Sequence, residues 1–318
     1  MIEVDRLSRH YGDLKAAHDV SFRIGPGEVV GLLGHNGAGK TTIMKMLTGF
    51  LEPSAGSVRI DGLDIGEDRR AVQARIGYLP ENCPVYPEMT VIDFLEFQAA
   101  LHGVPAENRP AAIRSAIART ELEAKAAETI DTLSRGYRQR VGVAQAILHE
   151  PAILILDEPT NGLDPSQILH MRNLIRDLSK RATLIISTHI LQEVEAVCDR
   201  VLIMRSGSLA LDARLDELAT PSRLLVTLDR GPAEATPLLA RLDTITTCVH
   251  LESGDKHHLY ALESNDPTAA APRVASAVSD AGWPLYGLSP ETRDLETLFG
   301  EINATEAAHG LREEASHA

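Results

Sequence analysis

No apolar run in this 318-residue sequence approaches the ~18–20 residues that cross a bilayer. The opening decapeptide "MIEVDRLSRH" also lacks the apolar centre of a signal peptide. Any membrane role is therefore expected to pass through a partner. An excess of basic residues is missing too: 31 Lys and Arg stand against 45 Asp and Glu, a formal net charge of −14. That balance argues against holding nucleic acid by its phosphates and leaves only a local basic patch open. Cysteine is scarce, and Cys83, Cys198 and Cys248 are odd in number and without metal-ligand spacing, so a reducing, cytoplasmic setting is the simplest reading. Aromatic residues make up only 4%, but 44% hydrophobic and 24% charged residues suit a folded globular protein rather than a disordered or collagen-like chain. Long internal repeats and sustained heptads are absent as well.

What is present divides into two parts, as the length suggests. In the first two-thirds, short apolar runs alternate with helical patterns, which predicts an α/β domain with a largely parallel sheet. The runs at Glu28 to Leu33, Ala152 to Asp157, Thr183 to Ser187 and Arg200 to Met204 are almost uniformly apolar, as strands buried on both faces should be. Ser166 to Lys180 has helical spacing behind Asp164 and Pro165, residues suited to a cap and a first turn. Val91 to Ile147 reads as a helical insertion, broken by "HGVP" at His102 to Pro105. A domain of residues 1–218, with a helical subdomain at about 82–148, and a second of 219–318 are expected. The second, from Leu224 to Leu288, has the order βαββαβ of a small α+β, ferredoxin-like domain. A last helix over Arg293 to Ala304 and a polar tail follow. The pair His257–His258 has no ligand cluster around it and reads as solvated loop before a strand.

The stretch "GHNGAGKTT", Gly34 to Thr42, fits a phosphate-binding P-loop and lies between a strand and a helix, the context that motif needs. Gly34, Asn36, Gly37 and Gly39 let backbone N–H groups face a phosphate; Lys40 supplies charge toward the β- and γ-phosphates; Thr41 offers a hydroxyl to Mg2+, with Thr42 beside it. "AILILDEP" places Asp157 and Glu158 where a buried strand ends, the usual ligand edge of a parallel sheet. Asp157 suits the magnesium shell and Glu158 a general base for the attacking water. The absence of an N-K-x-D guanine signature disfavours a GTPase. A third stretch, "LSRGYRQRVGVAQAI" from Leu133, starts a helix with Ser134 and arginines, and helix N-termini attract anions.

Taken together, "LSRGYRQR", "LDEPTNGLDP" and "STH" resemble the ATP-binding subunits of ABC transporters across roughly Met1 to Glu217. The resemblance implies a P-loop NTPase sheet domain with a helical insertion. It further implies an ATPase using ATP and Mg2+, and a homodimer in which each Ser134 and Gly136 faces the γ-phosphate bound by the partner. Tyr11 then stacks on adenine, with a core tyrosine as the alternative. Asp164 falls in the loop that communicates between subunits, and His189 is the switch histidine at the γ-phosphate. Two departures stand out: the usual Gly-Gly-Gln is Arg135, Gly136 and Tyr137, and a usual glutamine is Glu81, whose carboxylate can still reach magnesium or the water. Glu81, "LPENCP" and "GLDPSQ" look most like the subset serving ABC-2-type exporters. In that subset Asn82 to Met89 touch a transmembrane permease, and the chain sits on the cytoplasmic face of the membrane. The alternative is a soluble ABC ATPase acting on ribosomes or DNA.

Overall fold

The computed structural model describes residues 1–218, 223–253, 257–291, 295–300 and 302. The chain separates into compact units, Met1–Arg214 and Leu215–Glu301, with Ile302 grouped in the first. In chain order the first unit runs β1 (Ile2–Tyr11), β2 (Leu14–Ile24), β3 (Val29–Leu33), α1 (Lys40–Leu47), β4 (Ala55–Ile60), β5 (Leu63–Asp64), α2 (Arg69–Gln73) and β6 (Ile76–Leu79). It continues through α3 (Val91–Leu101), α4 (Arg109–Arg119), α5 (Arg135–Ile147), β7 (Ile153–Asp157), α6 (Pro165–Ser179), β8 (Thr183–Thr188), α7 (Leu191–Val197), β9 (Arg200–Arg205) and β10 (Ser208–Arg214).

Six strands form the central sheet in the order β10-β9-β3-β8-β7-β6, parallel except for β10, which pairs antiparallel with β9. Every residue of β3, β7 and β8 is buried, because alternate side chains feed two different cores. Val30, Leu32, Ile153, Ile155 and Ile185 join α1 and strands β1, β2 and β4 on one side. Leu154, Leu156, Leu184 and Ile186 join helices α3 to α6 on the other. Burial of each such side chain contributes roughly 1.5–3 kcal/mol, which is why these strands have no polar alternation.

The central strands and α6 fall within a residue or two of their expected bounds. Helix α6 opens on a capping box, the Asp164 carboxylate accepting from the Gln167 N–H and the Gln167 side chain reaching back to Asp164, with Pro165 in the first turn. The break expected at His102 is where α3 ends, His102 being its C-cap. Not expected was a second sheet, β2-β1-β4-β5, antiparallel throughout. Its register shifts between Leu7 and Arg9 and again before His10, which interrupts the period-two signal that would have announced it.

The second unit contains α8 (Leu215–Leu218), β11 (Arg223–Leu228), α9 (Pro232–Leu239), β12 (Thr247–Ser253), β13 (His258–Glu263), α10 (Pro267–Asp280) and β14 (Leu285–Glu291). Its antiparallel sheet has the order β12-β13-β11-β14, which is the ferredoxin-like arrangement the sequence predicts. Leu224, Val226, Tyr260, Leu262, Val274 and Val278 fill its core. His257 precedes β13 exposed, its ring edge-on to Tyr286. Residues 295–300 and Ile302 are helical; the rest of the helix expected at Arg293 to Ala304, the tail and the expected boundary at 219 lie outside the described residues.

Candidate active site

The phosphate loop begins where β3 runs out. A Cβ on Gly34 would lie 2.6 Å from the Met204 carbonyl oxygen, and one on Gly39 only 2.4 Å from that of Ala16. Gly39 is also the N-cap of α1 at φ 103° and ψ 0°, a conformation L side chains rarely adopt. The loop can therefore close against the β2 backbone only with glycine there. Asn36 and Gly37 stay exposed at its outer turn, and Thr41 and Thr42 are half-buried in the first turn of α1. Lys40 is 6% exposed, and its ammonium donates to the carbonyls of Gly34 at 2.6 Å and His35 at 3.3 Å. Tyr11, at the end of β1, is half exposed beneath the Arg9 guanidinium, 4.7 Å from the ring centre. Its hairpin mate β2 is the strand that brings Ala16 to Gly39.

Asp157 and Glu158 sit beside this loop because β7 lies one strand from β3 across β8. Asp157 is fully buried; one carboxylate oxygen accepts from the Ser187 hydroxyl, its register partner on β8. The other, Oδ2, is buried with no hydrogen bond among the described residues. Glu158 turns the chain at φ 49°, an uncommon conformation for a residue with a Cβ and one concentrated at functional sites. Its side chain is nearly buried, with Oε1 3.6 Å from the Lys40 ammonium and Oε2 accepting from His189 Nδ1 at 2.9 Å. His189, one residue past β8, keeps its ring 42% exposed.

Burial holds the Asp157 carboxyl above the ordinary range, while the nearby Ser187 and Thr41 hydroxyls pull it down; Glu81 adds a repulsion that raises it and Lys40 an attraction that lowers it. Burial raises Glu158 as well, against the downward pull of His189 and Lys40. A carboxyl raised by burial and set beside a histidine is an arrangement common in proton transfer. Glu81 itself is exposed, in the turn after β6.

Ser134, Gly136 and Asp164 form a separate cluster. Ser134 is the N-cap of α5 at φ −62° and ψ 161°, exposed, and its hydroxyl caps nothing. Gly136 lies so close to α6 that a Cβ would be 2.6 Å from the Gln167 side chain, and the Arg135 guanidinium is spread over Gly162. The Asp164 carboxylate is spent on its own helix, accepting from the Gln167 N–H at 2.9 Å and the Ser166 hydroxyl at 2.7 Å; these bonds hold it below the ordinary carboxylate range. Among the described residues no hydrogen bond or ion pair joins Ser134 to the Lys40 loop. Sequence reasoning singled out neither Ser187 nor the threonines Thr160 and Thr188, which share the buried Glu193 carboxylate. The only signal was their adjacency to Glu158 and His189.

Comparison with known proteins places this geometry. Residues 17–161 match the ABC transporter family. The chain is 31% identical over 316 residues to YdbJ, an ABC transporter ATP-binding protein of Bacillus subtilis, covering 96% of both chains. It is 36% identical over 225 residues to the bacitracin transport ATP-binding protein BcrA of Bacillus licheniformis, covering 70% of this chain and 72% of that one. A solved ATP-binding subunit of an ABC transporter superposes with a TM-score of 0.63 at 31% identity, over 69% of this chain and 91% of the other. With a relative alike along almost its whole length and the phosphate loop, acid pair and histidine converging at one sheet edge, the chain belongs to the ATP-binding proteins of ABC transporters, a family of P-loop ATPases.

Proposed function

We propose that this ATPase hydrolyses MgATP between two copies of itself and drives a separate ABC-2-type membrane permease from the cytoplasmic face of the membrane. The observation that carries the catalytic part is the buried Glu158 held between Lys40 and His189 at the end of β7. In this reading residues 1–218 are the ATP-binding domain, with a helical subdomain at about 82–148, and 219–318 an accessory domain that stabilises or regulates the dimer.

Gly34, Asn36, Gly37, Gly39, Lys40, Thr41 and Thr42 cradle the phosphates, and Tyr11 stacks on adenine. Glu158 accepts the proton of the attacking water while His189 orients the γ-phosphate. The orphaned Asp157 Oδ2 and the adjacent Thr41 hydroxyl are hard oxygen donors that fit magnesium, with Glu81 close enough to bias Asp157. Mg2+, when bound there, neutralises charge developing on the phosphates. Magnesium commonly takes one or two protein oxygens and fills its shell with phosphate and water, so no larger protein ligand cluster is required.

The in-trans part of the reading is supported by the isolation of Ser134 from the Lys40 loop within one chain: the exposed, uncapped start of α5 suits an anion, and in this reading that anion is the γ-phosphate held by a twin. A permease is supported by the apolar residues exposed from the turn after β6 into α3: Tyr86 at 47%, Ile92 at 46%, Phe97 at 38% and Leu101 at 66%. Tyr86 and Phe97 meet edge to face at 5.6 Å, a patch suited to an apolar partner segment. Transport agrees with the bacitracin transport relative. The cytoplasmic setting agrees with Cys83, Cys198 and Cys248 being free thiols.

Affinity purification of the Glu158→Gln form with MgATP from native membranes tests the assignment. Recovery of a dimer with a multi-span membrane protein is the expected result. Recovery with ribosomes or DNA and no membrane protein refutes the permease reading.

A further inference from the structure

Glu193 lies on α7, 4% exposed. One of its carboxylate oxygens accepts from the Thr160 hydroxyl, and the other accepts from the Thr188 hydroxyl at 2.9 Å. Thr160 stands two residues after Glu158, and Thr188 immediately before His189. Burying a carboxyl group is unfavourable unless its oxygens are hydrogen-bonded, and among the described residues threonine hydroxyls alone satisfy this one. A leucine would fill the same volume without that cost. The carboxylate's distinguishing property is that it accepts at both oxygens.

We infer that Glu193 is the positioning residue that fixes the spacing of Glu158 and His189, by tying Thr160 and Thr188 to one buried carboxylate. The inference rests on the ATPase reading of Glu158 and His189 given above. The two segments leave different strands, β7 and β8; the last backbone tie between them is the Glu158 N–H to the Ser187 carbonyl at 3.0 Å, and Thr160 and His189 lie beyond it. The backbone adds anchors on both sides of the tie. Asn161 N–H donates to the Glu158 carbonyl at 3.1 Å, and Ile190 N–H donates to the Thr188 hydroxyl oxygen at 3.1 Å. With that lone pair engaged, the Thr188 hydroxyl has its proton free for Glu193. An amide at position 193 offers one acceptor in place of two, so one threonine must turn and the spacing relaxes. The Glu158–His189 contact at 2.9 Å is what loosens.

The test uses the full chain and compares Glu193→Gln, Thr160→Val and Thr160→Ser for ATP turnover and for binding of a fluorescent ATP analogue. Glu193→Gln and Thr160→Val are expected to lose on the order of 10²-fold in kcat, the penalty of a small misplacement at a reacting centre, with nucleotide Kd unchanged. Thr160→Ser, which keeps the donor, is expected to restore turnover. In a Glu158→Gln background, Glu193→Gln should cost nothing more, because residues acting as a unit are not additive. Wild-type kcat in folded Glu193→Gln or Thr160→Val overturns the inference. So does a Thr160→Ser enzyme as slow as Thr160→Val, or a further loss on top of Glu158→Gln. If Glu193→Gln does not fold, the Thr160 pair decides alone. Undiminished turnover in Glu158→Gln by itself is the separate result that removes the underlying ATPase reading.

Discussion

Replacing Glu158 by glutamine removes a charge and a proton acceptor while leaving the volume nearly intact. The carboxylate's roles can be separated in the structure. Lys40 is anchored by the Gly34 and His35 carbonyls at 2.6 and 3.3 Å, with Glu158 farther away at 3.6 Å. The phosphate cradle should therefore survive, and ATP should bind as in the wild type. Loss of a general base lowers turnover by roughly 10²–10⁴-fold, which is about 2.7–5.4 kcal/mol of transition-state free energy. The acid limb gives a second readout. Burial raises the Glu158 pKa, and a base works only when deprotonated. Wild-type turnover must therefore fall, as pH drops, at a higher pH than the ~4.3 of an ordinary glutamate, and the residual activity of Glu158→Gln must lack that limb. Phosphate release across a pH series, run beside nucleotide titration, measures both. Normal turnover in a folded Glu158→Gln protein, or an identical acid limb in both proteins, refutes the assignment.

Three further outcomes follow from the same geometry. Ser134→Arg should abolish ATP-driven dimerisation, measured by light scattering on the Glu158→Gln form, while monomer nucleotide affinity stays unchanged; loss of monomer binding would place Ser134 in its own chain's site. Gly39→Ala forces a Cβ to 2.4 Å from Ala16 oxygen at φ 103°, a backbone strain of about 1–3 kcal/mol before any clash; nucleotide binding should be lost, and wild-type affinity would show the loop to be far softer than described. For Asp157, a pKa raised by burial means the folded state holds its proton more tightly than the unfolded chain. That contribution is complete below the unfolded value of ~3.9 and lost as pH rises through the folded pKa. Nucleotide-free Asp157→Asn should accordingly gain in Tm relative to wild type as pH rises from 4 to 8, and a difference independent of pH would exclude the buried charge as its cause.

The parts of the molecule that sequence made legible are those where one physical demand dominates. β3, β7 and β8 are buried on both faces, so hydrophobicity alone announces them. Asp164, Pro165 and Gln167 make a helix start by local hydrogen bonding, which needs no knowledge of the rest of the fold. β1 and β2 carry mixed demands: one face packs while the other is solvated, and the bulges around Leu7 and Arg9 shift the alternation. Thr160, Ser187 and Glu193 were illegible for another reason. Thr160 and Glu193 are bonded across 33 positions and Ser187 reaches its partner across 30, and a threonine that will donate to a buried carboxylate looks like any other threonine. The contact of the Arg135 guanidinium with Gly162, 27 positions along the chain, was illegible for the same reason.

Strand register is what converts these separate stretches into one site. Leu33 is paired with Thr188, and Asp157 with Ser187. Going one residue beyond Leu33 gives Gly34, one beyond Asp157 gives Glu158, and one beyond Thr188 gives His189. All emerge at the same edge because the strands are parallel and end nearly level. Slipping β7 against β8 by one residue would turn Asp157 away from Ser187 and exchange the two apolar faces. Leu154 and Leu156 would then face the core now filled by Ile153 and Ile155. The cores on both faces oppose such a slip, so apolar packing sets the register that brings the phosphate loop, acid pair and histidine to one edge. The polar ties from Ser187 and Glu193 then have only the last residue or two past the strand ends left to align.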